Sequence, residues 1–275
     1  RAMSQAMERL STGQRINSAS DDAAGLAIAS RMTSQVNGLN MAIRNANDAI
    51  SMVQTADGAL VEVTNMLQRM RELAVQASTG TLSATDNDAL DVEFHALRQE
   101  INRVALNTQF NGSAVFASGA ASATSFHVGA NASQTISVTF GNFQTLSSST
   151  ATGDGTDTTQ ANSKFGGTTL DTTGNTTGDN DAGSLRLDTA SLAGAALIGV
   201  DSMLTIVNTE RASYGAAINR LEFAADNLAN VSQNTSASKS RILDADYASE
   251  TTELARTQII QQAATAMLSQ ANQQA

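Results

Sequence analysis

From Met32 the apolar and small residues Met32, Val36, Leu39, Ile43, Ala46, Ile50 and Val53 recur in alternating steps of four and three, the spacing of a coiled-coil seam. Far along the chain, Val200, Leu204, Val207, Tyr214, Ile218, Leu221, Ala225 and Leu228 keep the same alternation, interrupted only at Arg211. A stripe this narrow is buried only against another helix, so the two ends must pack together or against further copies of themselves. The constraint predicts a mainly α fold with a β part: a long antiparallel helical rod drawn from both ends of the chain.

After Val53 the seam changes phase to Ala56, Leu60, Val63, Leu67, Met70, Ala74 and Ala77, and ends at Ser78-Thr79-Gly80, where Gly80 is placed to cap the helix. A continuous helix from Met32 to Thr79 would be about 70 Å long, and the absence of proline leaves it without a breaker. A second helix follows, with Ser83 or Thr85 as N-cap and the stripe Leu90, Phe94, Leu97, Ile101 and Val104 folding back on the first. Near Asn111-Gly112 the period turns from helical to alternating, and a hairpin is legible as Thr124 to Val128, a turn over Gly129 to Gln134, and Thr135 to Phe140.

From Gly141 to Gly183 Ser, Thr, Gly, Asp and Asn dominate, with Phe143, Leu146, Phe165 and Leu170 as apolar anchors. The stretch reads either as a small β-rich appendage with long loops or as disorder, and the recurrence of those anchors between turn signals favours the appendage. Helical periodicity resumes by Leu192 and runs to about Ser232; a polar segment, Gln233 to Lys239, leads into a last amphipathic stretch from Ala245. The expected packing core of the rod is Leu39, Ile43, Ile50, Leu60, Leu67, Leu97, Ile101, Leu204, Ile218, Leu221 and Leu228. Each, if buried, contributes about 1.5 to 3 kcal/mol.

Composition narrows the function. A net charge of -10 argues against nucleic acid, whose phosphates call for a basic stripe. With no cysteine, neither a disulfide framework nor a thiolate metal site is available. No apolar run approaches the roughly 18 residues of a membrane span, and no signal-peptide core is present, so membrane insertion is not expected. The two histidines, His95 and His127, have no histidine partner at zinc spacing and read as surface or packing residues. The acidic loops at Asp154 to Asp157 and Asp179 to Asp181 lack the order of a calcium loop and read as solvated turns. No phosphate loop or activated nucleophile is visible, so neither an enzyme nor a cofactor is expected. Because the first residue is Arg, the natural N-terminus is expected to lie upstream.

The segment ERLSTGQRINSASDDAAGLAIA (Glu8 to Ala29) resembles the N-terminal signature of the bacterial flagellins. Its counterparts are RILDADY (Arg241 to Tyr247) and QIIQQAATAMLSQANQ (Gln258 to Gln273) at the other end. MRELAVQA (Met70 to Ala77), TQFNG (Thr108 to Gly112) and VGAN (Val128 to Asn131) lie between and are similar to the same family. The likeness covers Arg1 to about Phe140 and Leu185 to Ala275.

The resemblance implies a structural subunit of the flagellar filament, for motility, that self-assembles with copies of itself. It implies that 1–31 is part of an inner or linker segment, 32–140 the N-terminal half of the rod domain with a hairpin near 124–140, and 141–184 a variable outer domain. Residues 185–245 would be the C-terminal half of the rod and 246–275 part of a C-terminal inner helix. The family's extreme terminal residues are mostly absent, so these 275 residues are not expected to polymerise on their own. The protein would be secreted to the flagellum by the flagellar type III route without a cleaved signal peptide, its C-terminal end held beforehand by an export chaperone.

Arg69, Leu73 and Glu93 match positions that a toll-like innate receptor contacts in recognised flagellins, and the same face is one the family packs inside the filament. Arg69 and Leu73, four apart, are expected to share one exposed helix face. The turn at Gly129 to Gln134 resembles a segment thought to switch protofilament packing, and reads equally well as a plain hairpin covering the core. Sequons at Asn131 and Asn175 carry little meaning in a bacterial protein. Two other readings are a flagellin-like surface protein binding a polysaccharide or host ligand through the central segment, and the hook–filament junction protein. The central segment has Phe but neither Trp nor Tyr to form a sugar platform, and the full DDAAGLAIA and TAMLSQANQ segments favour flagellin proper over the junction protein.

Overall fold

The computed structural model describes residues 2–116, 122–143 and 185–274. The expected outer domain beyond residue 143, with both acidic loops and the Asn175 sequon, lies outside the described residues. The elements are α1 (Ala2–Thr12), α2 (Ala23–Ala77), α3 (Ala84–Asn107), β1 (Gln109–Phe110), β2 (Ser113–Ala114), β3 (Ser122–His127), β4 (Thr135–Phe140), α4 (Ala190–Leu243) and α5 (Tyr247–Gln274).

Helix α2 begins well before Met32. Asp22 accepts the Gly25 N–H on Oδ1 at 2.9 Å while its carbonyl accepts from Leu26 at 3.0 Å, the geometry of an N-cap aspartate. The seam marks where the alternation of four and three becomes regular, whereas the helix starts at its cap. At the other end the Thr79 N–H turns back to the Gln76 carbonyl at 3.2 Å, and Gly80 does not take the left-handed backbone of a capping glycine. Helix α3 opens on a capping box: Ser83 Oγ accepts the Asp86 N–H at 3.3 Å and Asp86 Oδ2 accepts the Ser83 N–H at 3.0 Å. The Ser83 hydroxyl, which donates to Asp86 Oδ2 at 2.7 Å, and then the Ser83 N–H hold the Asp86 carboxyl below its usual range.

Asn111 (φ 50°) and Gly112 (φ 78°) both take positive φ between β1 and β2, as a two-residue hairpin turn requires. This small hairpin was not expected. Strands β3 and β4 pair antiparallel from Ser122↔Phe140 to His127↔Thr135, with Val138 and Phe140 buried along one face of β4. The polar run Gln233 to Lys239, expected to separate two helices, lies inside α4. With neither glycine nor proline in it, nothing there breaks the helix.

The contacts fall into two compact units, Arg1–Arg44 with Gly129–Gln134 and Ala225–Ala275, and Asn45–Val128 with Thr135–Ala224. In the second, α2 and α4 run antiparallel: Asp57 pairs with Arg211 at 2.8 Å and Arg71 with the earlier Asp201 at 2.7 Å. Around them Phe116 meets Phe143 edge-on at 5.3 Å, and Phe140 lies 5.6 Å from Tyr214. In the first unit Ser232 donates to Asn40 Oδ1 at 3.0 Å. The turn of the β3–β4 hairpin sits close to α2 at Gly38, where a Cβ would meet Ala130 at 3.4 Å.

The innermost stripes correct the expected seam. Of the expected core, Leu39, Leu60, Leu67, Ile101 and Leu221 are buried, while Ile43, Ile50, Leu97, Leu204, Ile218 and Leu228 are half-buried. On α2 the fully buried line runs Leu39, Ala42, Ala46, Ala49, Val53, Ala56, Leu60, Val63, Leu67, Met70, Ala74 and Ala77, so alanines hold the centre where Ile43 and Ile50 were expected. On α4 it runs Ala193, Ala196, Val200, Met203, Val207, Glu210, Tyr214, Ala217 and Leu221. The alternation is therefore unbroken, passing through Glu210 and leaving Arg211 at the flank. Alanine lets helix backbones approach closely, and larger neighbours then close over the sides. Helix α4 also carries an 18-residue window of mean hydropathy 1.7, long and apolar enough by composition to cross a membrane. The sequence reading missed that window, whose Val200, Met203 and Val207 are spent in this seam.

Candidate functional site

Three surfaces could carry function. The first lies on α2 and α3. Arg69 Nε donates to Glu93 Oε1 at 2.9 Å and its Nη1 to Glu72 Oε2 at 2.9 Å, and the Arg69 and Glu93 side chains are 50% and 45% exposed. The Glu93 hydrogen bond, then that of Glu72, raises the Arg69 guanidinium above its ordinary value. Leu73 does not share this face: it is 1% exposed and belongs to the core with Met70, Ala74 and Phe94. A four-residue step turns about 40° past a full helix revolution, enough to carry Leu73 from the ion pair's side into the core. The exposed face is thus Arg69 with Glu72 and Glu93, and Leu73 supports it from within.

The second surface joins the two ends of the chain. Gln14 and Asp244 form an isolated antiparallel bridge, with the Arg15 N–H on the Leu243 carbonyl at 2.6 Å and the Ala245 N–H on the Gly13 carbonyl at 3.0 Å. Arg15 Nη2 adds a bond to the Ile242 carbonyl at 2.8 Å. Arg9 Nη1 pairs with Glu250 Oε1 at 2.9 Å, and the Tyr247 hydroxyl donates to the Leu10 carbonyl at 3.3 Å. Gly13 (φ 71°) permits the close turn, and a Cβ there would stand 3.3 Å from the Tyr247 hydroxyl. Residues quoted above as signature motifs at opposite ends therefore meet, a pairing that no local pattern announces.

The third is α5, on which Ile259, Ile260, Met267 and Leu268 are more than half exposed. Residues recurring at such helical spacing suit a partner helix.

Among the described residues nothing comparable points to chemistry. His95 pairs with Asp91 at 3.1 Å, and His127 contributes its backbone carbonyl to Asn45 Nδ2 at 3.0 Å, so both histidines have structural neighbours and stand apart. Among the described residues no cluster of histidines and carboxylates could hold a metal. A shallow groove of about 540 Å³ on α2, lined by Asn37, Asn40, Met41 and Arg44, offers no paired acid and base.

Residues 1–121 match the family model described as the bacterial flagellin N-terminal helical region, and residues 197–275 match the bacterial flagellin C-terminal helical region. Flagellin B of Vibrio cholerae is 36% identical over 98% of this chain and 91% of its own length. A flagellin of Halalkalibacterium halodurans is 41% identical over 98% of this chain and 88% of its own. The crystal structure of Bacillus cereus flagellin aligns over 67% of this chain and 88% of its own, with 28% identity and a TM-score of 0.48. With both terminal helical regions matched, and relatives this similar along nearly its whole length, the chain belongs to the bacterial flagellin family.

Proposed function

We infer that the chain is a structural subunit of the bacterial flagellar filament, serving motility by assembling with copies of itself. The observation that carries this is the match of both helical ends to the flagellin models, and the apolar residues left exposed on α5 agree with it, since a filament gives them a covering. It works by assembly, not catalysis. In this reading 32–140 and 185–245 form the rod domain, and 1–31 and 246–275 lead toward the filament interior.

The protein is secreted through the flagellar type III route without a cleaved signal peptide. Before export a chaperone holds α5, and deletion of Thr251 to Ala275 should abolish its binding. In a free monomer a toll-like innate receptor reads the exposed Arg69 and Glu93, above buried Leu73; receptor activation unchanged by Arg69→Ala would end that assignment. The test of the main reading is electron microscopy of the full-length gene product after seeding with filament fragments. Elongation that is lost on removing α5 is expected. A folded, monomeric protein that does not elongate would instead indicate a hook–filament junction component or a surface-binding relative.

A further inference from the structure

The buried line of α4 contains a single charged residue. Glu210 is 6% exposed, on a stripe otherwise made of Ala193, Ala196, Val200, Met203, Val207, Tyr214, Ala217 and Leu221. It is engaged in a polar or electrostatic interaction where it sits, and its charge helps to raise the hydroxyl of Tyr214, one turn on, although burial is the larger cause. Its neighbour Arg211 is turned outward and pairs with Asp57 of α2.

Such an arrangement answers a problem that the apolar seam creates. Both helices carry unbroken alternations of three and four over the paired region, so sliding one along the other by seven residues brings apolar residues opposite apolar residues again. The seam alone does not fix which register forms. The flanking pairs Asp57–Arg211 and Arg71–Asp201 are each about a third to a half exposed, and ion pairs at that exposure are worth little. A carboxylate in the seam discriminates strongly. A slip of seven puts Glu210 into the seat of Met203 or Ala217, both in the apolar core, away from the interaction it makes in its own seat, where an uncompensated carboxylate is costly.

We propose that Glu210 sets the register of α4 against α2, fixing a single alignment of two helices whose apolar stripes would accept more than one. It does so at some expense of stability, as a buried polar residue at a seam position does in coiled coils.

The protein has no cysteine, so Gln68→Cys on α2 and Thr205→Cys on α4, both at exposed positions, can carry spin labels in the otherwise intact chain. Pulsed electron resonance then reads the distance between the helices. The parent protein should give one distance. Glu210→Leu should add a second, longer distance, the sign of an axial slip of about 10 Å or one heptad of helix rise, together with an unchanged or raised melting temperature. Glu210→Gln, polar and of the same shape, should keep the single distance. A single, unshifted distance in folded Glu210→Leu overturns the proposal. So does failure of Glu210→Leu to fold while Glu210→Gln folds normally, because a polar side chain at that seat would then be needed for stability and not for alignment.

Discussion

Replacing Leu60 by Ala probes the central stripe of α2 directly. Leu60 is wholly enclosed, and the substitution removes three carbons, each worth about 0.8 kcal/mol in transfer from water, or about 2.4 kcal/mol together. The cavity left behind adds to this because packed neighbours relax only partly, and Leu→Ala substitutions in cores cost about 2 to 5 kcal/mol. Val63 and Leu67 on the same line are equally enclosed, so relaxation is limited and a loss of about 3 to 4 kcal/mol is expected. At about 2 to 3 °C per kcal/mol for a chain of this size, the melting temperature should fall by about 6 to 12 °C. Leu228, half-buried on α4, should lose only about 1 to 1.5 kcal/mol on the same change. Far-UV circular dichroism, followed through heating and through urea, measures both. Equal losses in the two variants, or a loss below about 1 kcal/mol for Leu60→Ala, would refute the placement of the core on this line.

Gly13→Ala should destabilise the junction of the chain ends by about 1 to 2 kcal/mol, because alanine resists a positive φ and its Cβ would crowd the Tyr247 hydroxyl; faster hydrogen exchange at the Arg15 and Ala245 amides reports it. Tyr214 supplies a pH dependence. Burial, aided by the Glu210 charge, raises its hydroxyl above the ordinary value, so in alkali the unfolded chain loses this proton before the folded one does. Its contribution is complete below about pH 10, the ordinary phenol value, and is lost as pH rises beyond it. Urea unfolding from about pH 9 to 11 should show a decline that Tyr214→Phe reduces.

How much of this was legible in the sequence depends on the kind of residue. The heptads announced α2 and α4, and Ser83, one of the two expected N-caps, announced the start of α3. The centre of the seam showed only in part, since the expected stripe took in Ala46 but placed Ile43 and Ile50 where Ala42 and Ala49 are buried. Glu210 was hidden for a related reason: a charge reads as surface, and only the geometry of its neighbours places it inside. Leu73 was misassigned because i to i+4 neighbours are rotated as well as raised, and the boundary of a broad buried face falls between them. The β1–β2 turn was discoverable, since Asn-Gly is a strong hairpin signal, but its strands are too short for alternation to register. The contacts between Gly13, Arg15, Leu243 and Ala245 had no local signal at all.

Those contacts bear on how the chain reaches its folded form. The bonds joining Arg9 to Glu250, Arg15 to Ile242 and Tyr247 to Leu10 close loops of 241, 227 and 237 residues. For a flexible chain, closing the first of them costs about 5 kcal/mol of loop entropy, whereas the others lie within a few residues of it and add almost none. The ends should therefore meet in one cooperative step, late and slowly compared with the coiling of any single helix, as contacts so distant along the chain require. Until the end of α4 and the start of α5 have formed, Arg9, Leu10 and Arg15 have nothing to close against.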